Sequence, residues 1–168
     1  VGGELATVRQ ELLEALGPVA SEFLEAVSGG ASTMSMAYRD EWSAAGLVEA
    51  LRNARADDVR RGVSTVGPHR DDVAIEVDGL PSRTHASQGE QRSVALALRL
   101  AGHRVVVERT GTDPVVLLDD VFSELDDDRV RALVGLLPAT QSVITTAGSV
   151  PSGVEPGTLL RIVDGRIS

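Results

Sequence analysis

This chain of 168 residues contains no lysine, and its sixteen cationic side chains are all arginine. A phosphate-binding loop of the form G-x-x-x-x-G-K-[ST] requires a lysine, so this chain contains no such loop. Cysteine is also absent, which excludes disulfides, thiolate metal ligands and cysteine nucleophiles and favours a reducing cytoplasm. Only 2% of the residues are aromatic, so the core must be built from valine, leucine, alanine and isoleucine.

Long hydrophobic runs are missing as well. Val94–Leu98 is interrupted by Arg99 well short of the ~18 residues that a membrane span needs, so no transmembrane or secretory segment is predicted. The formal net charge is -9, and an acidic chain binds nucleic acid only where its basic side chains share one surface. The length and the 42% of hydrophobic residues fit one globular domain, with at most a small addition.

The first part of the chain, residues 1–62, is predicted to be a mostly helical segment. Its apolar residues recur at helical spacing, and glycine and proline interrupt the pattern. The predicted elements are a helix over Glu4–Leu16, a break at Gly17-Pro18, a resumed helix over Val19–Val27, a short strand over Thr33–Tyr38 and a helix through Leu47, Leu51 and Ala54 that ends before Gly62.

The second part, residues 63–168, alternates strands with helices, which indicates an α/β sheet with a parallel section. The boundary between the two parts is therefore expected near residue 62. The predicted elements are a strand over Val73–Val77, a tight turn at Asp78-Gly79, a helix over Gln88–Glu108, a buried strand over Val115–Leu118, a helix over Asp126–Leu137 stopped by Pro138, a strand over Ser142–Thr145 and a hairpin over Leu159–Ile167.

Two carboxylates follow the apolar run Val115–Leu118. The carboxyl end of a buried parallel strand lies in the crevice where open α/β sheets bind ligands. Mg²⁺ takes one or two carboxylates together with phosphate and water oxygens, so Asp119 is a candidate Mg²⁺ ligand. Asp120 points elsewhere and is a candidate for orienting or deprotonating an attacking water. The alternative is that both acids only end a strand and begin a turn.

The segment Ser87-Gln88-Gly89-Glu90 precedes a predicted helix and fits the capping box S-x-x-E. The same geometry suits phosphate, because a helix amino terminus presents free N–H groups and the positive end of its dipole. Gly89 leaves room for a phosphate to approach the backbone, and Ser87 can donate its hydroxyl to a phosphate oxygen. Gln88 and Arg92 can add polar contacts. Capping and phosphate binding are compatible, and both interpretations stay open.

These segments together resemble the motifs of ABC-type ATPases. About thirty residues separate the start of the helix at Ser87 from the end of the strand at Asp119, which is what a helix and the return to a parallel strand require. SQGEQRS resembles the ABC signature motif, VVLLDD resembles Walker B, and SELD resembles the D-loop. Ser123 and Asp126 belong to the D-loop, although either can also cap the following helix. Thr145-Thr146 stands where ABC transporters usually have a switch histidine, which argues against a transporter.

Within that superfamily, the motifs resemble the RecF family of bacterial DNA replication and repair proteins. The resemblance is carried by GPHRDD at 67–72, the alternating strand with its D-G turn, SQGEQRSVALALRLA and LLDDVFSELDDDR. It implies a partial ABC-type P-loop ATPase domain, with a mixed sheet and flanking helices, over residues 63–168. It also implies that residues 1–62 are part of a helical second domain, and that the Walker A half lies in an amino-terminal part that this chain lacks.

The resemblance further implies a cytoplasmic protein, not bound to membranes, that serves DNA replication and recombinational repair after DNA damage, including the SOS response. Such a protein would bind ATP and Mg²⁺, dimerise on ATP, bind DNA and support recombinase loading with RecO- and RecR-type partners. A weak ATPase activity is implied for the intact dimer and none for this chain alone.

The family motif also assigns roles to particular residues. Asp119 would hold Mg²⁺ and Asp120 would be catalytic. Ser87, Gln88, Gly89 and Glu90 would complete the ATP site of the opposite subunit. The candidate DNA-binding residues are Arg60, Arg61 and Arg70, although Arg60 and Arg61 can also belong to a solvated helix face.

Several alternatives remain open. Arg70 can instead pair with Asp71 or Asp72 and fix a turn. The chain can also be an interaction module without turnover, an SMC-like ATPase head other than RecF, or a Mg²⁺-dependent hydrolase that uses Asp119 and Asp120 directly. The three histidines, His69, His85 and His103, are not spaced as a metal site.

Overall fold

The computed structural model describes residues 1–138 and 141–167 of the chain. Its mixed α/β architecture confirms the fold class expected from the alternation of strands and helices. In chain order the elements are α1 (Gly2–Val27), β1 (Met34–Arg39), α2 (Leu47–Arg61), β2 (Asp72–Val77), β3 (Leu80–Pro81), α3 (Ser82–His85), α4 (Gln88–Thr110), β4 (Val116–Asp119), a 3₁₀ helix (Val121–Glu124), α5 (Asp127–Leu136), β5 (Ser142–Thr145), β6 (Ile162–Val163) and β7 (Arg166–Ile167).

The chain divides into two compact units, Val1–Pro114 and Val115–Ser168. This division falls at a different position from the boundary near residue 62 that the change from a helical to an alternating strand-helix pattern suggested. Strand β1 pairs along its whole length with β2, and α1 packs against α4, so elements from both sides of residue 62 belong to one unit. The predicted pattern of elements changes there, but strand pairing and helix packing continue across it.

The first unit combines a three-stranded antiparallel sheet, in the order β1-β2-β3, with a core made by α1 and α4. The turn predicted between β2 and β3 is present: Asp78 and Gly79 both have positive φ, of 52° and 78°. This geometry suits the right-handed twist of the two strands that the turn joins. The buried apolar side chains of this core include Phe23, Leu24 and Val27 from α1 and Val94, Ala97, Leu100, Ala101 and Val105 from α4.

Helix α1 runs without a break from Gly2 to Val27, so the predicted interruption at Gly17-Pro18 is wrong. A proline inside a helix removes one backbone hydrogen bond and leaves a carbonyl one turn earlier without its donor. Pro18 lies on the exposed side of α1, where water can bond that carbonyl. Packing of the opposite side, which includes Ala20 and Phe23, then holds the helix together.

The second unit is built around two parallel strands. β4 pairs in parallel with β5, from Val116 opposite Ser142 to Asp119 opposite Thr145, which confirms the predicted parallel pairing. The prediction that this strand is buried on both faces is wrong: Leu118 is buried, but Leu117 on the other face is 73% exposed, because nothing in the described part of the chain covers that face. Helix α5 connects them, and Leu118, Phe122, Val130 and Leu133 are buried in this unit. Strands β6 and β7 form the expected terminal hairpin around Asp164-Gly165.

None of the helices in the described residues is both long and apolar enough to cross a membrane.

Candidate functional site

Strand β4 ends at Asp119, an exposed residue at the edge where β5 also ends. The parallel register places Asp119 directly opposite Thr145. The Thr145 hydroxyl donates a hydrogen bond to Oδ1 of Asp119. The carboxylate is therefore oriented by a neighbouring strand and still open to solvent.

Asp120 adopts a left-handed backbone conformation, with φ 49° and ψ 27°. Its N–H donates to the Thr145 carbonyl oxygen at 3.2 Å and to the Thr145 hydroxyl at 3.1 Å. Its carbonyl accepts from the Ser123 hydroxyl at 2.9 Å. Aspartate is one of the few residues other than glycine that tolerates this conformation. The chain thus leaves the line of β4 at Asp120.

The donor set at this end of β4 fits a hard cation that brings other ligands with it. Mg²⁺ commonly takes one or two protein carboxylates and completes its shell with phosphate and water oxygens. Asp119 offers one exposed carboxylate, and no group of three or more acids or histidines that could cage a metal occurs within the described residues. A Mg²⁺ ion held by Asp119 would therefore need oxygens from a nucleotide and from water.

The predicted capping box at the start of α4 is confirmed. The Ser87 side chain accepts from the Glu90 N–H at 3.3 Å, and the Glu90 carboxylate accepts from the Ser87 N–H at 2.7 Å. Ser87 and Gln88 are exposed and Gly89 is half-buried. The first N–H groups of a helix have no acceptor within that helix, so those of Gln88 and Gly89 face the approach to this terminus. Capping and anion binding remain compatible here.

Both D-loop residues have local contacts. The Ser123 hydroxyl supports the carbonyl of Asp120. Asp126 is the amino-terminal cap of α5, where its Oδ1 accepts from the Arg129 N–H at 2.9 Å and its other oxygen lies 3.3 Å from the Arg129 guanidinium. The capping interpretation therefore holds for Asp126, and Ser123 instead helps to fix the residue expected to be catalytic.

The Gly67–Asp72 loop begins at a buried glycine with φ of 131°, a conformation that side chains rarely adopt. The exposed Arg70 donates from Nε to the Ser64 carbonyl at 3.0 Å. The alternative ion pair with Asp71 or Asp72 is not what fixes this loop, because Asp72 pairs with Arg83 at 3.1 Å. Asp71 instead accepts hydrogen bonds from the side chains of Tyr38 and Trp42.

Arg60 and Arg61, the other two DNA-binding candidates, are exposed at the end of α2. Arg60 pairs with Asp57 at 2.7 Å. The connection from α2 towards Arg70 is held by Asp58, which accepts from the Thr65 hydroxyl at 2.7 Å and from its N–H at 2.8 Å. These bonds, the hydroxyl bond first, hold the pKa of Asp58 below its usual value.

The structure brings some predicted site residues together and assigns others to different units. Asp119 and Asp120 belong to the second unit, and Ser87 to Glu90 belong to the first. Thr145 is the residue that sequence reasoning missed, since its sequence position suggested only the absence of a switch histidine. The available signal was its place at the end of the strand parallel to β4.

No family model matches this chain. It is 38% identical over 160 residues to the DNA replication and repair protein RecF of Acidothermus cellulolyticus, covering 88% of this chain and 43% of that protein. It is 37% identical over 180 residues to the protein of the same name from Streptomyces avermitilis, covering 99% of this chain and 47% of that protein. The chain thus spans somewhat less than half the length of these relatives.

Solved structures give the same likeness. The recombination mediator protein RecF-ATPrS in the RecFOR pathway has a TM-score of 0.82 at 34% identity, covering 99% of this chain and 46% of that one. The corresponding RecF-ATP structure has a TM-score of 0.80. The Smc head bound to the C-winged helix domain of ScpA has a TM-score of 0.50 at 20% identity over 80% of this chain, which shows a shared fold alone.

Proposed function

The chain belongs to the RecF family, as a carboxyl-terminal part of less than half a RecF protein, and from this premise we propose that it supplies the signature, Walker B and D-loop of an ATP-dependent DNA-binding protein. The intact protein would act in the cytoplasm in DNA replication and recombinational repair, with RecO- and RecR-type partners. The observation that carries this proposal is the pair Asp119 and Asp120 at the end of a parallel strand, each bonded to Thr145.

In this proposal the two carboxylates have different tasks. Asp119, oriented by the Thr145 hydroxyl, would hold Mg²⁺, whose charge offsets the negative charge on the phosphate oxygens. Asp120 would accept a hydrogen bond from the attacking water and orient it. Its left-handed backbone, fixed by Thr145 and Ser123, would keep its carboxylate away from the metal ligand.

The signature residues would act on a different nucleotide. Ser87, Gln88, Gly89 and Glu90 would contact the ATP bound by a second subunit, as the family motif implies, so the site would be complete only in an ATP-dependent dimer. The exposed start of α4 supports this role, because its free N–H groups and dipole favour phosphate. DNA would then be contacted by arginines, with Arg60, Arg61 and Arg70 as candidates.

The parallel sheet of the second unit supports a requirement for further chain. Parallel strands are normally buried on both faces. Here Leu117 is 73% exposed and Val143 is 46% exposed. A polypeptide carrying the Walker A half of a RecF protein would cover such a face and supply the lysine that this chain does not have.

The proposal is tested by measuring ATP hydrolysis of the chain alone and after mixing with a separately made Walker A half from a RecF protein. The chain alone is expected to be inactive, because it has no lysine for the phosphates, and the mixture is expected to regain part of the activity of an intact RecF protein. Asp120→Asn in the mixture should reduce hydrolysis by about a hundredfold or more while ATP still binds.

Asp164→Asn is the matched control, because it makes the same chemical change in the same unit at a residue whose φ is also 49°, a conformation that asparagine tolerates. Hydrolysis by the chain alone would contradict the proposal. Full activity of the Asp120→Asn mixture would assign the water-orienting role to another group. ATP binding without any hydrolysis, in wild type and variant alike, would favour the interaction module without turnover.

A further inference from the structure

The single tyrosine and the single tryptophan of this chain both bond to one carboxylate, that of Asp71. The Trp42 indole N–H donates to Oδ1 of Asp71 at 2.8 Å, and the Tyr38 hydroxyl donates to Oδ2. Trp42 is only 6% exposed although it lies in a connection rather than in a helix or strand. Each oxygen of Asp71 thus has its own aromatic donor.

Helix α1 contributes a third group to this cluster. One guanidinium nitrogen of Arg9 donates to the Pro68 carbonyl at 2.5 Å and lies 3.4 Å from the Tyr38 hydroxyl oxygen. The arginine therefore links α1 both to the aromatic pair and to the Gly67–Asp72 loop. Contacts from three separate segments meet within one part of the first unit.

The cluster lies at the base of the segment between β1 and β2, residues 40–71, which we call the excursion. Between β1 and β2 the chain leaves the sheet at residue 40, passes through α2 and returns at residue 71. Trp42 belongs to the connection that enters α2, and Asp71 belongs to the connection that leaves it. Their hydrogen bond closes the base of the excursion, and Tyr38 ties this base to the end of β1.

The helix within the excursion has little else to hold it. Within the described part of the chain, no residue of α2 is buried. Its apolar side chains Val48 and Val59 are 64% and 75% exposed. One face of α2 is half-buried, at Leu47, Ala50 and Ala54, so the direction of the helix relative to the sheet depends on this partial packing and on its two ends.

The second half of the excursion is basic, although residues 40–71 as a whole contain five arginines and six acidic residues. Residues 52–70 contain five arginines and two aspartates, a formal charge of +3, whereas the whole chain has a charge of -9. The five arginines include Arg60, Arg61 and Arg70, all of them exposed. A surface of this sign fits an anionic backbone such as that of DNA.

We propose that Asp71 is a positioning residue: its bonds to Tyr38 and Trp42 fix the base of the excursion and so set the direction in which Arg60, Arg61 and Arg70 meet DNA. The fixed direction of α2 is independent of the proposed function, and only the contact with DNA rests on it. A carboxylate suits this role because both of its oxygens accept. An asparagine offers one acceptor oxygen, so its amide nitrogen would face either the Trp42 N–H, which only donates, or the Tyr38 hydroxyl, which would then have to turn from donor to acceptor.

The absence of cysteine makes the direction of α2 measurable. Cysteines introduced at the exposed positions Glu11 in α1 and Asn53 in α2 can be spin-labelled. Pulsed electron paramagnetic resonance then gives the distribution of distances between the two labels. The otherwise unchanged chain should give one narrow distribution, and Asp71→Asn should broaden or shift it. Asp72→Asn is the matched control, because it removes the same charge from the next residue, whose partner is Arg83. It should leave the distribution narrow.

DNA affinity is a second measurement, and the direction of its change separates a positioning role of Asp71 from the effect of its charge. Each of Asp71→Asn and Asp72→Asn removes one negative charge, so electrostatics alone predicts slightly tighter binding for both. If Asp71 positions the arginines, Asp71→Asn should instead bind labelled duplex or single-stranded oligonucleotides about fivefold or more weakly than Asp72→Asn at low salt. Acrylamide should also quench the fluorescence of Trp42 more strongly in Asp71→Asn than in wild type, and Asp72→Asn should show no such increase.

An unchanged distance distribution in Asp71→Asn would overturn the proposal, whatever the DNA affinity. A broadened distribution with the tighter binding seen for Asp72→Asn would overturn the link to DNA. Absence of DNA binding in wild type and in every variant would also overturn the link to DNA. Failure of the proposed ATPase role would appear separately, in the ATP hydrolysis experiment. If Asp71→Asn does not fold, Tyr38→Phe removes one donor and keeps the ring, and the same outcomes apply to it.

Discussion

At the scale of single residues, aspartates perform different tasks according to what surrounds them. Asp78, Asp120 and Asp164 all have positive φ. Two of them precede glycine in a tight turn, a pattern that sequence reasoning finds readily. Asp120 precedes valine; its N–H donates to Thr145 and its carbonyl accepts from the Ser123 hydroxyl, and no local pattern reveals these bonds. Asparagine tolerates the same conformation, which makes Asp120→Asn a suitable variant for testing chemistry without distorting the backbone.

Tyr38 provides a prediction that depends on pH. Burial, and then its hydrogen bond to the Asp71 carboxylate, raise the pKa of Tyr38 above its ordinary value of 10.0. The folded chain thus holds this proton more tightly than the unfolded chain does. The resulting contribution to stability is complete below about pH 10 and is lost as the pH rises through the raised pKa.

Because Tyr38 is the only tyrosine, tyrosinate absorbance reports its titration directly. We expect a midpoint above that of free tyrosine. Asp71→Asn should lower the midpoint, although not fully, since burial remains. Asp72→Asn, which removes an equal charge without touching Tyr38, should change it much less. Equal midpoints in wild type and Asp71→Asn would show that this hydrogen bond has no influence on the tyrosine.

At the scale of elements, the start of α4 combines structure and function in one residue. Ser87→Ala removes the cap and should lower the free energy of unfolding by about 1 kcal/mol, measured by urea denaturation. Ser87→Asp restores a good cap, so its stability should be close to that of wild type. The added carboxylate would nevertheless repel phosphate, and this variant should abolish ATP hydrolysis in the mixture with a Walker A half.

Ser87→Thr is the control for that experiment, because it keeps both a hydroxyl and a capping oxygen. It should retain most of the stability and most of the activity. If Ser87→Asp were as active as Ser87→Thr, capping would be the whole role of Ser87, and the signature interpretation would fail at this position.

Most elements could be predicted from the sequence, because their signals are local. The capping box begins α4, Gly111 with φ of 65° ends it, and β5 has the predicted bounds. The continuity of α1 could not be predicted, since it depends on which side of the helix packs. The aromatic pair on Asp71 joins residues 29 and 33 positions apart, so only the tertiary fold brings them together.

At the scale of the whole molecule, charge and exposure are distributed unevenly. The net charge of -9 argues against nucleic-acid binding when it is treated as an average. The excess of arginine over acidic residues in 52–70 departs from that average, and the proposed DNA contacts lie in this segment. In the second unit the exposed apolar side chains of β4 and β5 fit the proposal that a polypeptide carrying the Walker A half covers this sheet.

The salt dependence of DNA binding tests this distribution of charge. If Arg60, Arg61 and Arg70 are the main phosphate contacts, the logarithm of the binding constant for duplex DNA should fall with the logarithm of salt concentration with a slope of roughly -2 to -3. Replacing any one of them by alanine should reduce the magnitude of the slope by about 0.9. The measurement is fluorescence anisotropy of a labelled duplex over a series of salt concentrations.

Arg161→Ala is the matched control, since it removes the same charge at an exposed position of the second unit. It should change the affinity slightly and the slope hardly at all, because only arginines that contact phosphates release counterions. A slope reduced equally by Arg161→Ala and Arg60→Ala would mean that DNA contacts are spread over both units. A much steeper slope in the wild type would require a larger basic surface than the excursion supplies, and the DNA interface would then have to be sought among the arginines of α4.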